Sequence, residues 1–208
     1  MSRYTGANCR RCRTVGEKLF LKSKKCYTAK CILERRASKP GQHGKSRKKS
    51  SEYCIQLMEK QKLKQLYGMS EKQFHLLFEK AARMKGVTGH NLMILLERRL
   101  DNIMLRAGFA SSRKQARQYV AHGHAKVNGR KVDIPSFLID AGDKLEVLAK
   151  ENTEKMVKAS MEFTAGKPAT PWMTVNPEKL SAEITRLPSV EDIDNKINVQ
   201  LIVELYSK

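Results

Sequence analysis

Residues 111–132 read SSRKQARQYVAHGHAKVNGRKV, and this stretch decides the fold. Ser112 followed by Gln115 has the spacing of a helix capping box, and apolar residues then recur at helical intervals. The period next changes to two, and Asn128-Gly129 stands between two short alternating runs, which is a strong local signal for a β-hairpin. A short capped helix that leads directly into a hairpin predicts a module that mixes helix and antiparallel sheet.

The same two periods extend outward in both directions. Alternating or apolar runs predict further strands over residues 134–139, 144–148, 172–175 and 180–186. Helical spacing predicts helices over residues 51–67, 70–85, 92–107, 113–122, 151–161 and 193–205. We expect Asn91 to cap the helix that follows it, and we expect Cys54 to be buried within its helix. The fold class is therefore α+β.

Charge limits the function. Lys and Arg number 41 against 21 acidic residues, which gives a formal net charge of +20. Residues 1–50 alone hold 16 basic and 2 acidic residues, whereas residues 151–208 hold 7 and 9. Such an excess makes a small-molecule enzyme improbable and favours a polyanionic partner. For the lysine-rich run at residues 45–49, a solvated tail is the alternative.

Membrane and secretory classes do not fit this chain. The longest aliphatic run is Leu92 to Leu96, which is far shorter than the ~20 residues of a membrane span. The N-terminus is rich in arginine and has no apolar stretch behind it, so it is not a secretory signal. The cysteine count of five is odd, which argues against a secreted disulfide scaffold. We expect cytoplasmic nucleic acid as the partner, with no membrane and no small-molecule substrate.

Four cysteines near the N-terminus have the spacing of a metal site. Cys9 and Cys12 form a C-x2-C pair, and Cys26 and Cys31 follow in a C-x4-C pair. Four thiolates suit a closed, tetrahedral, structural zinc, which would stabilise a segment that has few apolar residues. Reduced cysteines that never bind metal remain an alternative, as does an iron–sulfur cluster. The sequence predicts that these four cysteines bind one zinc ion and that Cys54 is not a ligand.

Several motifs resemble the S4 RNA-binding domain. They are Arg99-Leu100-Asp101-Asn102, Arg106 to Arg113, Gln115-Ala116-Arg117-Gln118, His122-Gly123-His124, Val127-Asn128-Gly129 and Gly142-Asp143. Three more segments extend the resemblance along the whole chain to the S4 family of bacterial small-subunit ribosomal proteins. These are Arg3 to Gly6, Pro40 to Gly44, and Leu201 to Lys208. The four-cysteine N-terminus is similar to the zinc-bearing form of that family.

The resemblance implies a cytoplasmic, non-enzymatic constituent of the small ribosomal subunit that is a primary binder of 16S ribosomal RNA and nucleates assembly of the subunit body. It also implies contact with ribosomal protein S5 at an interface that influences translational accuracy, near the path by which messenger RNA enters. Some members of the family repress translation of their own operon. The acidic residues of the last quarter are expected to face protein S5 or solvent. Most of this acidity comes from six of the nine acidic residues, namely Glu178, Glu183, Glu191, Asp192, Asp194 and Glu204.

As in the family, we expect a zinc-bound basic extension over residues 1–43 and a helical domain over 44–92 that 188–208 completes. The S4 module, with a small antiparallel sheet, is expected over 93–187. The candidate metal ligands are Cys9, Cys12, Cys26 and Cys31. The candidate RNA contacts are Arg3, Arg10, Arg11, Arg13, Lys22, Gln42, His43, Lys45, Arg47, Arg113, Gln115, Arg117, His122, His124, Asn128 and Arg130. A protein that recognises an RNA junction contacts phosphates and 2′-hydroxyls, which requires many cations. The alternative for each single charge is solvated surface.

Two other functions compete. Pseudouridine synthases and some aminoacyl-tRNA synthetases also carry this module, but 60 residues after Leu148 leave no room for a catalytic domain. A zinc-dependent DNA regulator would need a recognition helix and usually a dimer interface. The end-to-end resemblance to a ribosomal protein family favours the RNA-binding interpretation over both.

Overall fold

A computed structural model of the protein describes residues 4–45, 49–148, 151–166, 170–193 and 197–207. The chain divides into two units, one formed by residues 1–92 with 195–208 and the other by residues 93–194. Among the described residues, no helix has the length and apolar character needed to cross a membrane.

The first unit is built from helices. They are α1 (Asn8–Val15), a 3-10 helix (Lys24–Tyr27), α2 (Ile32–Arg35), α3 (Glu52–Leu66), α4 (Glu71–Arg83), the start of α5 (Thr88–Glu97) and α9 (Val199–Tyr206). Serine residues begin α3 and α4, since Ser51 Oγ accepts from the Cys54 amide and Ser70 Oγ accepts from the Gln73 amide. Both serines stand at the starts of the helices predicted over residues 51–67 and 70–85, so those starts are confirmed.

Helix α9 packs against α3 and α4. Gln56 on α3 donates to Glu204 on α9 at 3.1 Å, and the ring centroids of Phe78 and Tyr206 are 4.5 Å apart. Ile202 is fully buried in this contact region. The terminal helix predicted over residues 193–205 is confirmed from Val199 onward, whereas Ile193 and Ile197 lie outside it. Its apolar stripe is the reason that it packs against the N-terminal helices.

The second unit combines helices with one sheet. It contains α6 (Leu100–Arg106), α7 (Arg113–Ala121), β1 (Ala125–Val127), β2 (Arg130–Lys131), β3 (Lys144–Val147), α8 (Glu151–Thr164), β4 (Met173–Asn176) and β5 (Ser181–Ile184). The sheet is antiparallel, with the strand order β2-β1-β3-β5-β4. Its inner face and the helices enclose a core in which Trp172, Phe109 and Leu145 are almost fully buried.

The predicted hairpin is confirmed. Strands β1 and β2 pair with Val127 opposite Arg130, and the turn residues Asn128 and Gly129 both have positive φ, at 50° and 77°. Asparagine and glycine tolerate this region of backbone space, which matches the right-handed twist of the flanking strands. The local sequence is therefore sufficient to specify this turn.

The predicted strand over residues 134–139 is wrong. The segment forms a turn, in which the Phe137 amide donates to the Ile134 carbonyl around Pro135. Only Leu138 forms a bridge, and its partner is Arg99 rather than a strand of the sheet. Proline lacks the N–H that a ladder requires, so an apolar run with a central proline does not form a strand here.

The single helix predicted over residues 92–107 is also wrong, because the chain breaks between α5 and α6. Arg99 is extended, with φ −65° and ψ 136°. The next two amides, of Leu100 and Asp101, donate to the Phe137 and Pro135 carbonyls instead of to α5. Tertiary hydrogen bonds from the 134–139 turn therefore replace the helical ones.

Asn91 does not cap this helix, because it lies within α5 rather than before it. Its side-chain amide donates to carbonyl oxygens at the end of α4, and the three acceptors are Ala81, Met84 and Lys85. Asn91 thus terminates the preceding helix instead of starting its own. Cys54 is partly exposed on α3, so its expected burial is wrong as well.

Candidate nucleic-acid interface

Helix α7 begins at a tightly bonded cap. Ser112 Oγ accepts from the Gln115 amide at 3.4 Å, and Gln115 Oε1 accepts from the Ser111 amide at 2.9 Å. The Gln115 side chain also donates to the Tyr119 hydroxyl at 2.7 Å. Burial raises the pKa of Tyr119, and the bond from Gln115 opposes that shift in part. Gln115, a predicted RNA contact, therefore also fixes the start of the helix.

The two arginines predicted to contact RNA lie against α6. Arg113 Nε donates to Asn102 Oδ1 at 3.0 Å, and Arg117 Nη1 lies 3.7 Å from Asp101 Oδ2. The Arg117 side chain is only 13% exposed. Both guanidinium groups are thus oriented by side chains of the neighbouring helix.

The residues below these arginines form a buried polar network. Asn102, which is 1% exposed, donates through Nδ2 to Glu97 Oε2 at 2.6 Å while its oxygen accepts from Arg113. Arg106 binds the same Glu97 carboxylate with two bonds, at 3.0 and 2.7 Å. Asp101 is held in the same way by Arg99, at 3.1 and 2.7 Å. Because each buried carboxylate has a bidentate arginine partner, its desolvation is compensated.

None of the five residues of this network is a predicted site residue. Glu97, Arg99, Asp101, Asn102 and Arg106 all lie in the single helix predicted over residues 92–107, and all except Glu97 belong to the motifs that resemble the S4 RNA-binding domain. The available signal was an unusual density of charged and amide residues inside an apolar stretch, since buried polar groups must be bonded. The pairing itself depends on the break between α5 and α6, which the sequence does not reveal.

The hairpin turn is locked to strand β3 by Asn128. Its Oδ1 accepts from the Lys144 amide at 2.9 Å, and its Nδ2 donates to Asp143 Oδ1 at 2.7 Å. Arg130 is exposed beside the turn. The side chain of Asn128, a predicted RNA contact, therefore bonds within the protein, whereas Arg130 is exposed to solvent.

Helix α7 ends against the hairpin. A Cβ added to Gly123, whose φ is +73°, would lie 2.1 Å from Lys131 Cε, so the lysine stem crosses directly over the glycine. His122 is exposed, and His124 Nδ1 lies 3.1 Å from the Leu148 carbonyl oxygen. Helix α7 and the hairpin meet here, and both carry basic side chains. We call residues 111–131 the helix–hairpin surface.

Basic residues of the N-terminal segment divide into anchored and exposed groups. Arg13 donates to the Ser38 and Lys39 carbonyls, and Arg11 stacks over the Tyr4 ring at 3.7 Å. Burial lowers the pKa of Arg11, and Tyr4 opposes this shift. Five other predicted contacts are exposed: Arg10, Lys22, Gln42, His43 and Lys45. The predicted contacts Arg3 and Arg47 lie outside the described residues.

The four predicted metal ligands come from three adjacent elements. Cys9 and Cys12 lie one turn apart on α1, Cys26 is buried in the 3-10 helix, and Cys31 directly precedes α2. All are free thiols.

The thiols are close enough to influence each other's charge. Burial raises the pKa of Cys12, and the neighbouring thiols of Cys26, Cys9 and Cys31 raise it further. Burial likewise raises the pKa of Cys26. The donor set suits zinc, yet among the described residues no three His, Cys, Asp or Glu side chains have the geometry of a metal site.

The acidic residues of the last quarter are partly paired inside the chain. Asp192 accepts from Arg186 at 2.6 and 2.8 Å and from the Ser189 amide. The bond from Arg186, with those from Ser189, holds the pKa of Asp192 far below its ordinary value. Glu178 and Glu183 are exposed, while Asp194 lies outside the described residues. Exposed carboxylates of the last quarter therefore lie in two places: Glu178, Glu183 and Glu191 on and after strands β4 and β5, and Glu151 and Glu162 on α8.

Two family descriptions match the chain in tandem. "Ribosomal protein S4/S9 N-terminal domain" matches residues 3–97, and "S4 domain" matches residues 98–145. The boundary between the two matches falls at the break between α5 and α6.

Curated proteins match over the entire length. "Small ribosomal subunit protein uS4" of Thermoanaerobacter sp. (strain X514) is 53% identical over 208 residues, covering all of both chains. The protein of the same description from Acetivibrio thermocellus is 50% identical over 208 residues, again with complete coverage. "Small ribosomal subunit protein uS4A" of Alkaliphilus oremlandii is 54% identical over 209 residues, with complete coverage of both.

Proposed function

Because the chain belongs to the uS4 family of small ribosomal subunit proteins, we propose that it binds ribosomal RNA of that subunit through its helix–hairpin surface and its basic N-terminal segment. As a member of this family, the chain is a structural component of the cytoplasmic small ribosomal subunit. Binding of ribosomal RNA fits the S4 domain at residues 98–145.

The observation that supports this proposal most directly is the orientation of Arg113 and Arg117. Asn102 and Asp101 hold the two guanidinium groups on one side of α7 before any RNA arrives. A guanidinium fork matches a phosphate in a bidentate manner, and a side chain that is already ordered loses less entropy on binding.

The mode of recognition follows from the geometry of folded RNA. The major groove of an A-form helix is too narrow for side chains, so cations placed on a rigid surface must contact phosphates and 2′-hydroxyls. The exposed Arg130 and His122 lie beside α7, and Arg10 and Lys22 contribute charge from the N-terminal segment. Affinity that arises from such contacts falls steeply as salt concentration rises.

The test is the double variant Arg113→Ala with Arg117→Ala, compared with Lys158→Ala as a matched control on α8. Each lost phosphate contact should flatten the slope of log affinity against log salt by up to ~1 unit, so the double variant should lose up to ~2. The control lysine is exposed on a different helix and should leave the slope unchanged. If the double variant keeps both the affinity and the slope of wild type, the helix–hairpin surface does not bind RNA.

We further propose the finer roles that the resemblance implies. The protein is a primary binder of 16S ribosomal RNA that nucleates the subunit body, contacts protein S5 near the path of messenger RNA, and thereby influences accuracy. Repression of its own operon is a second role, and it would use the same RNA-binding surface. Omitting the protein from reconstituted subunits should block later proteins from joining the body. Adding it to a translation reaction programmed with its own operon messenger should lower the yield.

We propose that Cys9, Cys12, Cys26 and Cys31 bind one structural zinc ion. The spacing of the four thiols and their positions on α1, in the 3-10 helix and directly before α2 support this assignment. Bound zinc would supply folding free energy to a segment with little apolar core, and Lys and Arg around it would offset the charge of the thiolates.

We propose no catalytic role. The curated relatives are ribosomal proteins, and the cations of the helix–hairpin surface support binding of a polyanion. Sedimentation distinguishes a ribosomal protein from a free enzyme, because the ribosomal protein should co-migrate with small subunits.

A further inference from the structure

Two aromatic side chains of the N-terminal segment are stacked on each other at the surface. The ring centroids of Phe20 and Tyr27 are 4.9 Å apart and the ring planes are inclined by 31°. Phe20 is 46% exposed and Tyr27 is 50% exposed, so each ring keeps about half of its surface in solvent. We call these two residues the aromatic pair.

The backbone of Phe20 is strained in the conformation that exposes its ring. Phe20 has a φ of +47°, a left-handed conformation that bulky residues rarely adopt. The preceding Leu19 is buried at 3% exposure, so the turn places one apolar side chain inside and the next one outside. Residues held in such strained backbone conformations cluster at functional sites.

The surroundings of the aromatic pair are strongly basic. Residues 17–30 contain five lysines and one acidic residue, Glu17. Glu17 is engaged by Lys62 at 2.9 Å, and Lys18 pairs with Glu34. The exposed Lys22 and Lys25 stand close in sequence to the two rings. An anionic partner with a flat apolar face would therefore complement both the charge and the shape of this surface.

We propose that the aromatic pair stacks with an unpaired base of small-subunit ribosomal RNA while the neighbouring lysines contact its phosphates; this inference rests on the proposed RNA-binding function. The small exposed area of the aromatic pair favours an RNA base over a protein as its binding partner. Two half-exposed aromatic side chains present roughly 200 Å², whereas a stable protein interface covers about 800 Å² per partner. Stacking on aromatic rings is tolerant of sequence, since every base has a π face.

The test uses the full-length protein and transcribed small-subunit ribosomal RNA. Phe20→Leu and Tyr27→Leu keep apolar volume but remove the rings, and Tyr27→Phe is the matched control that keeps the ring. Each leucine variant should bind about tenfold more weakly, while its salt slope equals that of wild type, because no phosphate contact is lost. Tyr27→Phe should bind like wild type.

A second measurement reads the stacking directly. Phe20→Trp introduces a surface fluorophore, and the natural Trp172 is 1% exposed and provides a constant background. Single-stranded oligoadenylate should quench the new tryptophan, whereas an RNA duplex of equal length should not.

Several outcomes would overturn the proposal. One is that both leucine variants bind the RNA as tightly as wild type. Another is that either variant shows a flatter slope of log affinity against log salt. A third is that duplex RNA quenches the Phe20→Trp fluorescence as strongly as oligoadenylate does. Wild-type RNA affinity combined with poor incorporation into subunits would assign the aromatic pair to a protein neighbour and also overturn it. If wild type itself fails to bind the RNA, the proposed RNA-binding function is wrong. If wild type binds and both leucine variants bind equally well, only the stacking proposal is wrong.

Discussion

Asn102 is a buried residue that bonds to a cation of the helix–hairpin surface. Its amide nitrogen donates to Glu97 and its oxygen accepts from Arg113, so it connects a buried carboxylate to a cation of the helix–hairpin surface. The planar amide of asparagine carries a donor and an acceptor side by side, so one short side chain can make both bonds. The side chain therefore contributes both to stability and to the orientation of Arg113.

Asn102→Ala should lower the free energy of unfolding by ~2 kcal/mol, because the buried partners of Asn102 lose their bonds. RNA affinity should fall severalfold at a temperature where the variant is still folded, because Arg113 is no longer oriented. Urea unfolding and filter binding measure the two effects. Asn152→Ala, at an exposed position on α8, should change neither. Normal RNA affinity in the folded Asn102 variant would show that Arg113 needs no orientation.

Glu71 on α4 bonds to side chains of two other helices, Lys60 and Lys64 on α3 and Tyr206 on α9. Partial burial alone would raise its pKa, but hydrogen bonds from Lys60 and Lys64 outweigh burial and bring the pKa to about 2, from 4.5. Lys64 Nζ lies 2.6 Å from the carboxylate, and the Tyr206 hydroxyl donates to it at 3.1 Å. Burial raises the pKa of Tyr206, and the charge of Glu71 raises it further.

A folded-state pKa below the unfolded value means that Glu71 stabilises the fold above pH ~4.5 and that this contribution is lost as the pH falls through about 2. Glu71→Gln should therefore destabilise the protein by about 1 kcal/mol at pH 7, a value reduced for screening of a half-exposed pair. Near pH 2 the variant and wild type should be almost equally stable. Urea unfolding at several pH values checks this, with Glu79→Gln on the same helix as the control. A gap that is constant across pH would contradict the ion-pair explanation.

At the scale of elements, the N-terminal segment lacks the apolar faces that hold the other helices. Helix α1 buries only Asn8 fully, and α2 buries none of its four residues. Helix α4, in contrast, buries Phe74, Phe78 and Ala81. Short helices without a buried stripe are not stable alone, so the segment needs another source of stability.

We expect that source to be zinc. Purified wild type should contain one zinc ion per chain by metal analysis, and Cys26→Ser should lose it, whereas Cys54→Ser should retain it. Chelation should make residues 4–35 susceptible to protease while α3 to α5 remain protected, since those helices have their own apolar core. Zinc-free wild type, or unchanged zinc content in Cys26→Ser, would refute the assignment.

Across the whole molecule, charge is distributed very unevenly. Residues 1–50 carry a net +14, and residues 151–208 carry a net −2. Carboxylates are unfavourable next to RNA phosphates, so the exposed Glu178 and Glu183 should face a protein or solvent. We propose that they pair with basic residues of protein S5, since ribosomal proteins are generally basic.

Charge reversal at Glu178 and Glu183 should raise misreading modestly and cumulatively, because each exposed pair contributes only ~0–1 kcal/mol. Loosening of the S5 contact is expected to favour the closed decoding state. A misreading reporter in cells measures the effect, and Glu162→Lys on α8 is the control for reversed charge. Glu204 is unsuitable for this experiment because it already accepts from Gln56. Wild-type accuracy with normal subunit assembly would leave these carboxylates as solvated surface.

The sequence by itself determined the features whose causes are local. The helix starts at Ser51 and Ser70, the cap at Ser112 and the turn at Asn128-Gly129 each depend on neighbours within a few residues, so their positions could be predicted. Helical and alternating periods likewise predicted α3, α4, α7 and α9 and most strands. Composition alone indicated a polyanionic partner. These features follow from backbone geometry and short-range bonding, which the order of residues specifies directly.

Only the tertiary structure decided the features that distant segments create. The break at Arg99 exists because carbonyls of the 134–139 turn accept from Leu100 and Asp101, more than 30 residues away in sequence. That break in turn brings Asn102 onto Glu97 and beneath Arg113, and it determines which arginines of the helix–hairpin surface are held in place. Nothing within a helical window distinguishes a residue that bonds along its own helix from one that bonds to a remote carbonyl. The physical reason is that hydrogen-bonding groups pair with whichever partner folding brings near.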